Sequence, residues 1–186
     1  MKSTNRFIKT TIILTALVSF TACSDDDENP EVVNEEEVIT TMNVTLIASG
    51  AETITLQSQD LDGDGPNAPE ITVSGNLTAS TVYNGSIELL NETETPAEDI
   101  TEEVEEEADE HQFIFVSSGS VASTAYSDED ADGNPVGIEF TLTTGDAGTG
   151  TIQITLRHEP TKPNDGTLTG AGGETDIAQT FSLTVE

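Results

Sequence analysis

The sequence predicts an all-β protein, a β-sandwich of about nine mostly antiparallel strands with one acidic surface helix. Apolar and polar residues alternate with a period of two over several short segments, as in sheets that have one face in water. Threonine, which suits a half-exposed pleated surface, is abundant in these segments. Turn-forming Gly, Asp and Pro residues separate them, so successive strands are expected to turn back on one another.

The first element of the chain, residues 1–22, is predicted to be a lipoprotein signal peptide. A short basic stretch precedes apolar residues 12–20, which are too few to span a bilayer as a helix. The ending Thr21-Ala22-Cys23 resembles a bacterial lipobox, in which the cysteine is acylated and becomes the new N-terminus. Cys23 is the only cysteine, which favours lipidation over an ordinary secretory signal with an incidental cysteine.

Residues 23–36 are expected to form a disordered acidic tether that starts at the acylated cysteine. The run from Asp25 to Glu28 resembles the surface-export signal of Bacteroidota lipoproteins. The alternative is a plain solvated linker, and the two interpretations are compatible. A polar, self-repelling composition keeps such a segment extended. Residues 37–186 are then predicted to form a single β-sandwich domain, which is large enough to fold without disulfides.

Nine segments of this domain carry the strand pattern. The first two flank Ser49-Gly50-Ala51 and predict a hairpin. Residues 113–116 are apolar on both faces, so they are the best candidate for a central strand. The nine predicted strands are 42–48, 54–57, 71–75, 82–91, 112–118, 122–127, 137–144, 151–158 and 177–185.

One segment, near residues 96–110, predicts a helix instead. Residues 95–98 form a capping box, with Pro96 at the first helical position. A narrow apolar stripe at helical spacing consists of Ala97, Ile100, Val104 and Ala108. The other faces are almost wholly acidic, so the helix needs either packing of its stripe or bound cations to persist. The simplest interpretation is a solvated surface helix.

The protein is strongly acidic. It contains 36 Asp and Glu residues against 5 Lys and Arg, for a net charge of −31. All of the acids lie after residue 23, where only Arg157 and Lys162 oppose them. A surface of this kind repels phosphate backbones, which excludes nucleic acid as a partner.

Two Asp-rich segments resemble calcium-binding loops. Residues 128–139 fit D-x-D-x-D-G-x5-E, in which alternating carboxylates converge on the cation and the last residue clamps it. Residues 60–71 match only in part, because Ile71 stands at the clamp position. The alternative is that Asp and Gly serve only as turn formers. No cofactor is certain, but Ca²⁺ is a candidate. Its predicted ligands are Asp128, Asp130, Asp132, Asn134 and Glu139 in the first loop, and Asp60, Asp62 and Asp64 in the second.

The two histidines predict a second metal site. His111 follows Glu107 by one helical turn, and His158 ends a strand on its apolar side. If the two segments adjoin, Glu107, His111 and His158, with Glu110 and Glu159 beside them, would form a surface site for Zn²⁺ or Cu²⁺. The alternative is a hydrogen-bonded structural histidine at a strand end.

Signatures of the common enzyme classes are missing from the sequence. It contains no G-x-S-x-G, no H-E-x-x-H and no P-loop. Carboxylates are so numerous that choosing one pair as an acid and a base would carry no information. We therefore expect a protein that is not an enzyme.

Four segments of the domain together carry a family resemblance. They are Asp60-Leu61-Asp62-Gly63-Asp64-Gly65, Glu110-His111-Gln112-Phe113, Leu156-Arg157-His158-Glu159-Pro160 and Gly172-Gly173-Glu174-Thr175-Asp176. They resemble a family of uncharacterised Bacteroidota, chiefly flavobacterial, envelope lipoproteins, often labelled "type 1 periplasmic binding fold superfamily protein". The resemblance spans roughly residues 38–186 and implies an envelope location. It implies no particular catalytic or binding residues.

These features predict a lipoprotein held to the outer membrane by its lipid anchor, facing the cell surface or the periplasm. We expect a non-enzymatic binding module that captures a cation or a small ligand, or assists an outer-membrane transporter. The alternative is a structural or adhesive surface protein whose loops are stiffened by Ca²⁺. The distance between His111 and His158 is the observation that separates these interpretations best, and the sequence leaves the oligomeric state open.

Overall fold

Antiparallel strands make up most of the computed structural model, which describes residues 37–63 and 65–186. The predicted signal peptide, Cys23, the tether up to residue 36 and Asp64 lie outside the described residues. All described residues belong to the unit Glu35–Glu186. Among them, no helix combines the length and the apolar character that crossing a membrane requires.

Ten strands and two short helices are present in the described part of the chain. The strands are β1 (Thr41–Ile47), β2 (Ile54–Gln59), β3 (Glu70–Val73), β4 (Val82–Asn91), β5 (Glu98–Asp99), β6 (His111–Gly119), β7 (Val121–Tyr126), β8 (Glu139–Thr144), β9 (Gly148–His158) and β10 (Glu174–Val185). The helices are α1 (Ile100–Glu106) and α2 (Leu168–Ala171). The predicted all-β fold is confirmed, and each of the nine predicted strands is present. The tenth strand, β5, is a two-residue pairing with the end of β4.

The strands form two sheets. The larger sheet has the order β3-β2-β1-β4-β8-β7, with β5 on β4, and the smaller has the order β10-β9-β6. The chain crosses from the smaller sheet to the larger between β6 and β7. Gly150 of β9 lies against this crossing, where a Cβ atom would be 2.5 Å from the carbonyl oxygen of Ser118. The absence of a side chain therefore lets the two backbones approach.

The apolar core lies between the sheets, because alternation turns every second side chain of each strand inward. The larger sheet contributes Met42, Val44, Leu46, Ile54, Leu56, Tyr83, Ile87, Leu89, Phe140 and Leu142. The smaller sheet contributes Phe113, Ile152, Ile154, Leu156, Phe181, Leu183 and Val185. Each fully buried aliphatic or aromatic side chain contributes about 1.5–3 kcal/mol by leaving water. The inward row of β9 continues from Leu156 to His158, which brings that histidine to the end of the core.

The prediction of a central strand at residues 113–116 is wrong. β6, which contains them, pairs only with β9, so β9 is central in the smaller sheet and β6 is at its edge. At the free edge of β6, the Phe113 N–H donates to the Val136 carbonyl at 2.7 Å, so the segment at Val136 covers this edge. On the outer face, the Asn164 side chain donates to the Gln112 side chain at 2.6 Å. Coverage of both the edge and the outer face explains why this edge strand carries apolar residues on both sides.

The predicted helix begins later and ends earlier than its sequence pattern indicates. Glu98 and Asp99 pair with the end of β4 as β5 and therefore cannot be helical. Asp99 is the helix N-cap instead, and its carboxylate accepts from the Thr101 N–H at 3.0 Å. Ile100 and Val104 are buried in the core, as their place in the apolar stripe predicts.

Candidate metal centre

His111 and His158 lie directly opposite each other on β6 and β9. The Glu159 N–H donates to the Glu110 carbonyl at 2.7 Å. The neighbouring histidine pair is therefore a non-hydrogen-bonded pair of the ladder, the type in which facing side chains are closest. The ring centroids are 4.6 Å apart with the planes inclined at 40°. Both residues are buried, with relative exposures of 0% for His111 and 4% for His158.

Two carboxylates complete the group around the histidines. Glu37 lies 3.5 Å from Nε2 of His111 through Oε1 and 3.8 Å from Nδ1 of His158 through Oε2. Asp176 lies 4.0 Å from Nε2 of His111 and 3.7 Å from Nδ1 of His158. The carboxylate side chains are as buried as the rings, with exposures of 4% for Glu37 and 1% for Asp176. We call these four residues the buried centre.

Asp176 reaches the buried centre through a β-bulge. The register of β10 against β9 shifts between Thr175, opposite Arg157, and Ile177, opposite Leu156, so Asp176 is the extra residue. A bulge re-aims a side chain that plain alternation would direct to the other face. Arg157 holds this part of the chain by donating from Nε to the Gly172 carbonyl at 2.7 Å and from its terminal nitrogens to Gly173 and Thr175.

Glu37 reaches the buried centre from the segment that precedes β1. This segment is anchored to the end of β4, because the N–H and the hydroxyl of Thr40 both donate to the Leu90 carbonyl at 3.0 Å. The Thr40 hydroxyl oxygen also accepts from the Glu92 N–H at 2.8 Å. Residues from four separate stretches of the chain therefore meet at one end of the core.

The ring of His111 is oriented as a metal ligand would be. Its Nδ1 lies 3.1 Å from the backbone carbonyl of Glu107, so we assign a proton to Nδ1, which leaves Nε2 as the nitrogen that can bind a metal. Metal-binding histidines commonly donate their other N–H to a carbonyl or carboxylate in this way. Nε2 is buried and makes no hydrogen bond among the described residues. Nε2 of His111 thus faces the two carboxylates of the buried centre.

The spacing of these donor atoms is close to that of ligands around one coordinated ion. The four nitrogen–oxygen distances of 3.5–4.0 Å exceed the usual hydrogen-bond range of about 2.7–3.2 Å. Tetrahedral zinc with ligands at about 2.0–2.2 Å places neighbouring donors about 3.4 Å apart. One donor atom from each residue lies within 4.8 Å of the others. Two carboxylates also balance the charge of a divalent ion, which reduces the cost of burying it.

A second group of carboxylates shares Glu37 with the buried centre. One oxygen from each of Glu37, Glu103 and Glu107 lies within 4.8 Å of the others. Burial raises the pKa of the Glu103 carboxyl, and the charges of Glu37 and Glu107 raise it further. Negative charge is therefore concentrated where α1 ends beside the buried centre. We call these three residues the outer group.

The structure brings His111 and His158 together, as the prediction of a histidine site requires, but it buries the rings instead of leaving them at the surface. In the described part of the chain, Glu110 and Glu159 are not among the donors grouped around the rings. The Glu107 carboxylate belongs to the outer group rather than to the donors grouped around the rings, and its backbone carbonyl lies 3.1 Å from Nδ1 of His111. Sequence reasoning missed Glu37 and Asp176. Asp176 belongs to one of the segments that carry the family resemblance, but its inward direction depends on a bulge that no sequence periodicity reveals.

In the first calcium-like loop, two of the carboxylates accept hydrogen bonds from backbone N–H groups. The Asp128 carboxylate accepts the N–H groups of Gly137 at 2.6 Å and Glu139 at 2.9 Å. The Asp130 carboxylate accepts from the Asn134 N–H at 2.8 Å and forms an ion pair with Lys162 at 3.2 Å. Among residues 37–63 and 65–186, the metal-compatible groups are the buried centre and the outer group, so the loop's acids are not gathered into one. The loop geometry agrees with the turn-forming interpretation, and calcium binding here stays a prediction.

The second calcium-like loop is an exposed turn. The Asp60 carboxylate accepts from the Asp62 N–H at 3.3 Å, and the Asp62 carboxylate accepts from the Asn67 side chain at 2.6 Å. Asp64, the third predicted ligand, lies outside the described residues. The described acids of this loop make local hydrogen bonds that hold a turn between β2 and β3.

Fold and site together define an all-β protein with a buried cluster of two histidines and two carboxylates between its sheets. Comparison with protein-family models, curated proteins and solved structures finds no match to this chain. The chemistry of the cluster is therefore the basis on which a function is argued.

Proposed function

We propose that the protein is a non-enzymatic metal-binding module, a lipoprotein anchored in the outer membrane that captures a divalent transition-metal ion at the buried centre. The observation that carries the proposal is the buried Nε2 of His111, which makes no hydrogen bond among the described residues and lies 3.5 Å from Glu37. Two imidazoles and two carboxylates suit Zn²⁺ best, and Cu²⁺ is its strongest competitor.

Closure of the site supports binding rather than catalysis. Catalytic zinc sites keep a coordination position open for water or substrate, whereas structural and storage sites are completed by four protein ligands. Glu37, His111, His158 and Asp176 supply four donors, and their side chains are at most 5% exposed. An ion held by these residues has no open position at which a substrate would bind.

A cleft supplies the route by which an ion reaches the centre. It has a volume of about 420 Å³ and is lined by Glu37 and Asp176 but not by the two histidines. Asp60 and Ser58 also line it. The carboxylate oxygens of Asp176 and Oε2 of Glu37 are buried, so an entering cation would first have to displace the wall of the cleft that these two residues form. The acidic surface concentrates cations at such an entrance.

Anchoring and location are supported by the sequence alone. Cys23 follows a basic and then apolar leader, and acylation at this position would hold the domain to a membrane. The acidic character of the domain is unsuited to contact with anionic lipid, so the acyl chains would provide the attachment. Palmitate incorporation into the full chain, lost in Cys23→Ala, tests this part of the proposal separately from metal binding.

Calorimetric titration of the metal-free protein with Zn²⁺ tests the binding function. We expect one tight site per chain, and removal of either ring in His111→Ala or His158→Ala should weaken it at least about 100-fold. This bound is conservative, because even residues that only orient ligands are worth about 10–100-fold. Co²⁺ in place of Zn²⁺ should show the intense visible bands of tetrahedral coordination.

A matched pair of carboxylate variants controls for charge. Asp176→Asn should weaken Zn²⁺ binding, whereas Glu174→Gln on the same strand should leave it unchanged. Glu174 is exposed and lies only two residues from Asp176, so both variants remove one negative charge near His158. Equal weakening in the two variants, or unchanged binding in both histidine variants, would refute the proposed site.

A further inference from the structure

The geometry points to a second cation site at the outer group, where Glu37, Glu103 and Glu107 would bind a hard divalent cation beside the ion of the buried centre. Glu37 would then bridge the two ions. This inference deepens the proposed function and rests on it for the first ion, but the outer group is tested by its own residues.

Glu37 connects the two groups because its carboxylate belongs to both. Its side chain is 4% exposed, and its Oε2 is buried without a hydrogen bond among the described residues. The same carboxylate lies within 4.8 Å of Glu103 and Glu107. Oε2 faces Nδ1 of His158 at 3.8 Å, and three carboxylates this close to one another repel each other unless a cation lies between them.

Glu107 contributes to both groups, through its backbone at the buried centre and through its side chain in the outer group. Its backbone carbonyl faces Nδ1 of His111, while its side chain belongs to the outer group. Its N–H donates to the Glu103 carbonyl at 2.9 Å, which ends helix α1 and places the two side chains one turn apart. The element that orients a histidine of the buried centre therefore also presents the carboxylates of the outer group.

The two groups differ in the metal they favour. The buried centre offers imidazole nitrogens, which suit Zn²⁺ and Cu²⁺. The outer group offers only carboxylate oxygens, which suit Mn²⁺, Ca²⁺ and Mg²⁺. Glu103 is exposed, so water can complete the coordination of a hard ion there. We therefore infer a mixed pair, a transition-metal ion inside and a hard cation outside.

Manganese binding followed by electron paramagnetic resonance tests the inference. The full chain is first loaded with one equivalent of Zn²⁺ and then titrated with Mn²⁺, and the signal of free Mn²⁺ is recorded. We expect one Mn²⁺ per chain, weakened at least about tenfold in Glu103→Gln/Glu107→Gln, because affinity for hard cations depends on the number of charged ligands. Replacing Zn²⁺ by Cu²⁺ should broaden the bound Mn²⁺ signal, since a shared carboxylate keeps the two paramagnetic ions close.

The variant Glu102→Gln/Glu106→Gln is the matched control. It removes the same charge at the same spacing on the same helix, and both residues are exposed. It should bind Mn²⁺ as the unaltered protein does. Equal Mn²⁺ affinity in the two double variants, or no broadening by Cu²⁺, would overturn the second site.

Failure of the buried centre is distinguishable from failure of the outer group. A protein that binds no Zn²⁺ but binds Mn²⁺ through Glu103 and Glu107 would refute the proposed function and leave the outer site standing. Tight Zn²⁺ binding that depends on the histidines, without a specific Mn²⁺ site, would refute only the outer site. The far-ultraviolet circular dichroism of each variant should match the parent, because glutamine preserves the shape of glutamate.

Discussion

Asp176 is the extra residue of the bulge in β10, and its Oδ1 lies 3.7 Å from Nδ1 of His158 on the neighbouring strand. The bulge thus directs a carboxylate inward at a position where regular alternation would have directed it to the outer face. Because the direction of Asp176 depends on the backbone just before it, the packing of residues 172–175 against β9 becomes a determinant of the metal centre.

Ion binding should stabilise the fold. An ion that binds only the folded chain adds about 2.7 kcal/mol at a concentration one hundred times its dissociation constant, which corresponds to a rise of roughly 5–10 °C in the melting temperature of a domain of this size. Thermal unfolding with and without Zn²⁺, followed by circular dichroism, measures the shift. The shift should vanish in His158→Ala and on addition of a chelator. An equal shift in that variant would show that Zn²⁺ acts elsewhere.

The close approach of Gly173 to His158 should be required for both stability and metal affinity. Gly173 has a φ of +68°, and a Cβ atom there would overlap the His158 carbonyl oxygen. We expect Gly173→Ala to cost about 1–2 kcal/mol for the left-handed backbone and about 1–3 kcal/mol more for the overlap. Urea denaturation gives the stability, and Zn²⁺ titration gives the affinity, which should fall because the His158 backbone is displaced.

Gly166→Ala isolates the steric part of this effect. Gly166 has a similar φ of +74°, but no atom lies within 4 Å of the Cβ position. This variant should lose only the backbone contribution and bind Zn²⁺ normally. If the two alanine variants behaved alike, contact with His158 would be irrelevant to the site.

The ion pair between Asp130 and Lys162 should make stability depend on pH. Burial by itself raises the pKa of the Asp130 carboxyl, but hydrogen bonds from the Asn134 N–H and the Lys162 ammonium outweigh it and lower the pKa below its ordinary value of 3.8. The charged form is therefore favoured in the folded state. Its contribution is fully present above 3.8 and is lost as the pH falls through the lower, folded-state value.

Asp130→Asn should accordingly destabilise the protein by about 1.5–3 kcal/mol at neutral pH, the usual worth of a hydrogen bond to a charged group. The difference from the parent should shrink in urea unfolding carried out below pH 3.8. Asp132→Asn changes an exposed acid of the same loop and should have little effect at either pH. A difference that stayed constant on acidification would contradict the assigned role of the charge.

Gly150 should be difficult to replace at the crossing between the sheets. In Gly150→Ala, the new Cβ would lie 2.5 Å from the Ser118 carbonyl oxygen and 2.7 Å from the Val121 nitrogen, so backbone would have to move. We expect a loss of about 1–3 kcal/mol. Gly145→Ala, where the nearest atoms are 3.8 Å away, should be neutral or mildly stabilising. Similar denaturation midpoints for the two variants would argue against this interpretation of the crossing.

The extent of the strands could be predicted because alternation is a local property. Met42, Val44 and Leu46 are buried on one face of β1, and their pattern is visible in seven consecutive residues. The order of the strands was harder to predict from the sequence, because it depends on which elements cover each edge of a sheet. Residues 113–116 show this difference, since an edge strand covered by the segments at Val136 and Asn164 has the same apolar pattern as a central one.

The helix was also predictable only in part: its buried face could be predicted from the sequence, but its first residue could not. Ile100 and Val104 could be predicted as buried because their spacing matches one face of a helix. The capping box at residues 95–98 was overridden, because pairing Glu98 and Asp99 with the end of β4 satisfies backbone groups that the helix would otherwise have used.

The sequence by itself determined the sheet-rich fold, the acidic surface and the inward direction of His158, since each follows from composition or from a period of two. Only the tertiary structure placed His111 opposite His158 and brought Glu37 and Asp176 to the same end of the core. The physical reason is that a metal site needs donors within a few ångströms of one another. Strand pairing, the bulge at Asp176 and the anchored segment at Glu37 bring these donors together. Glu37 and Asp176 are 139 positions apart in the sequence.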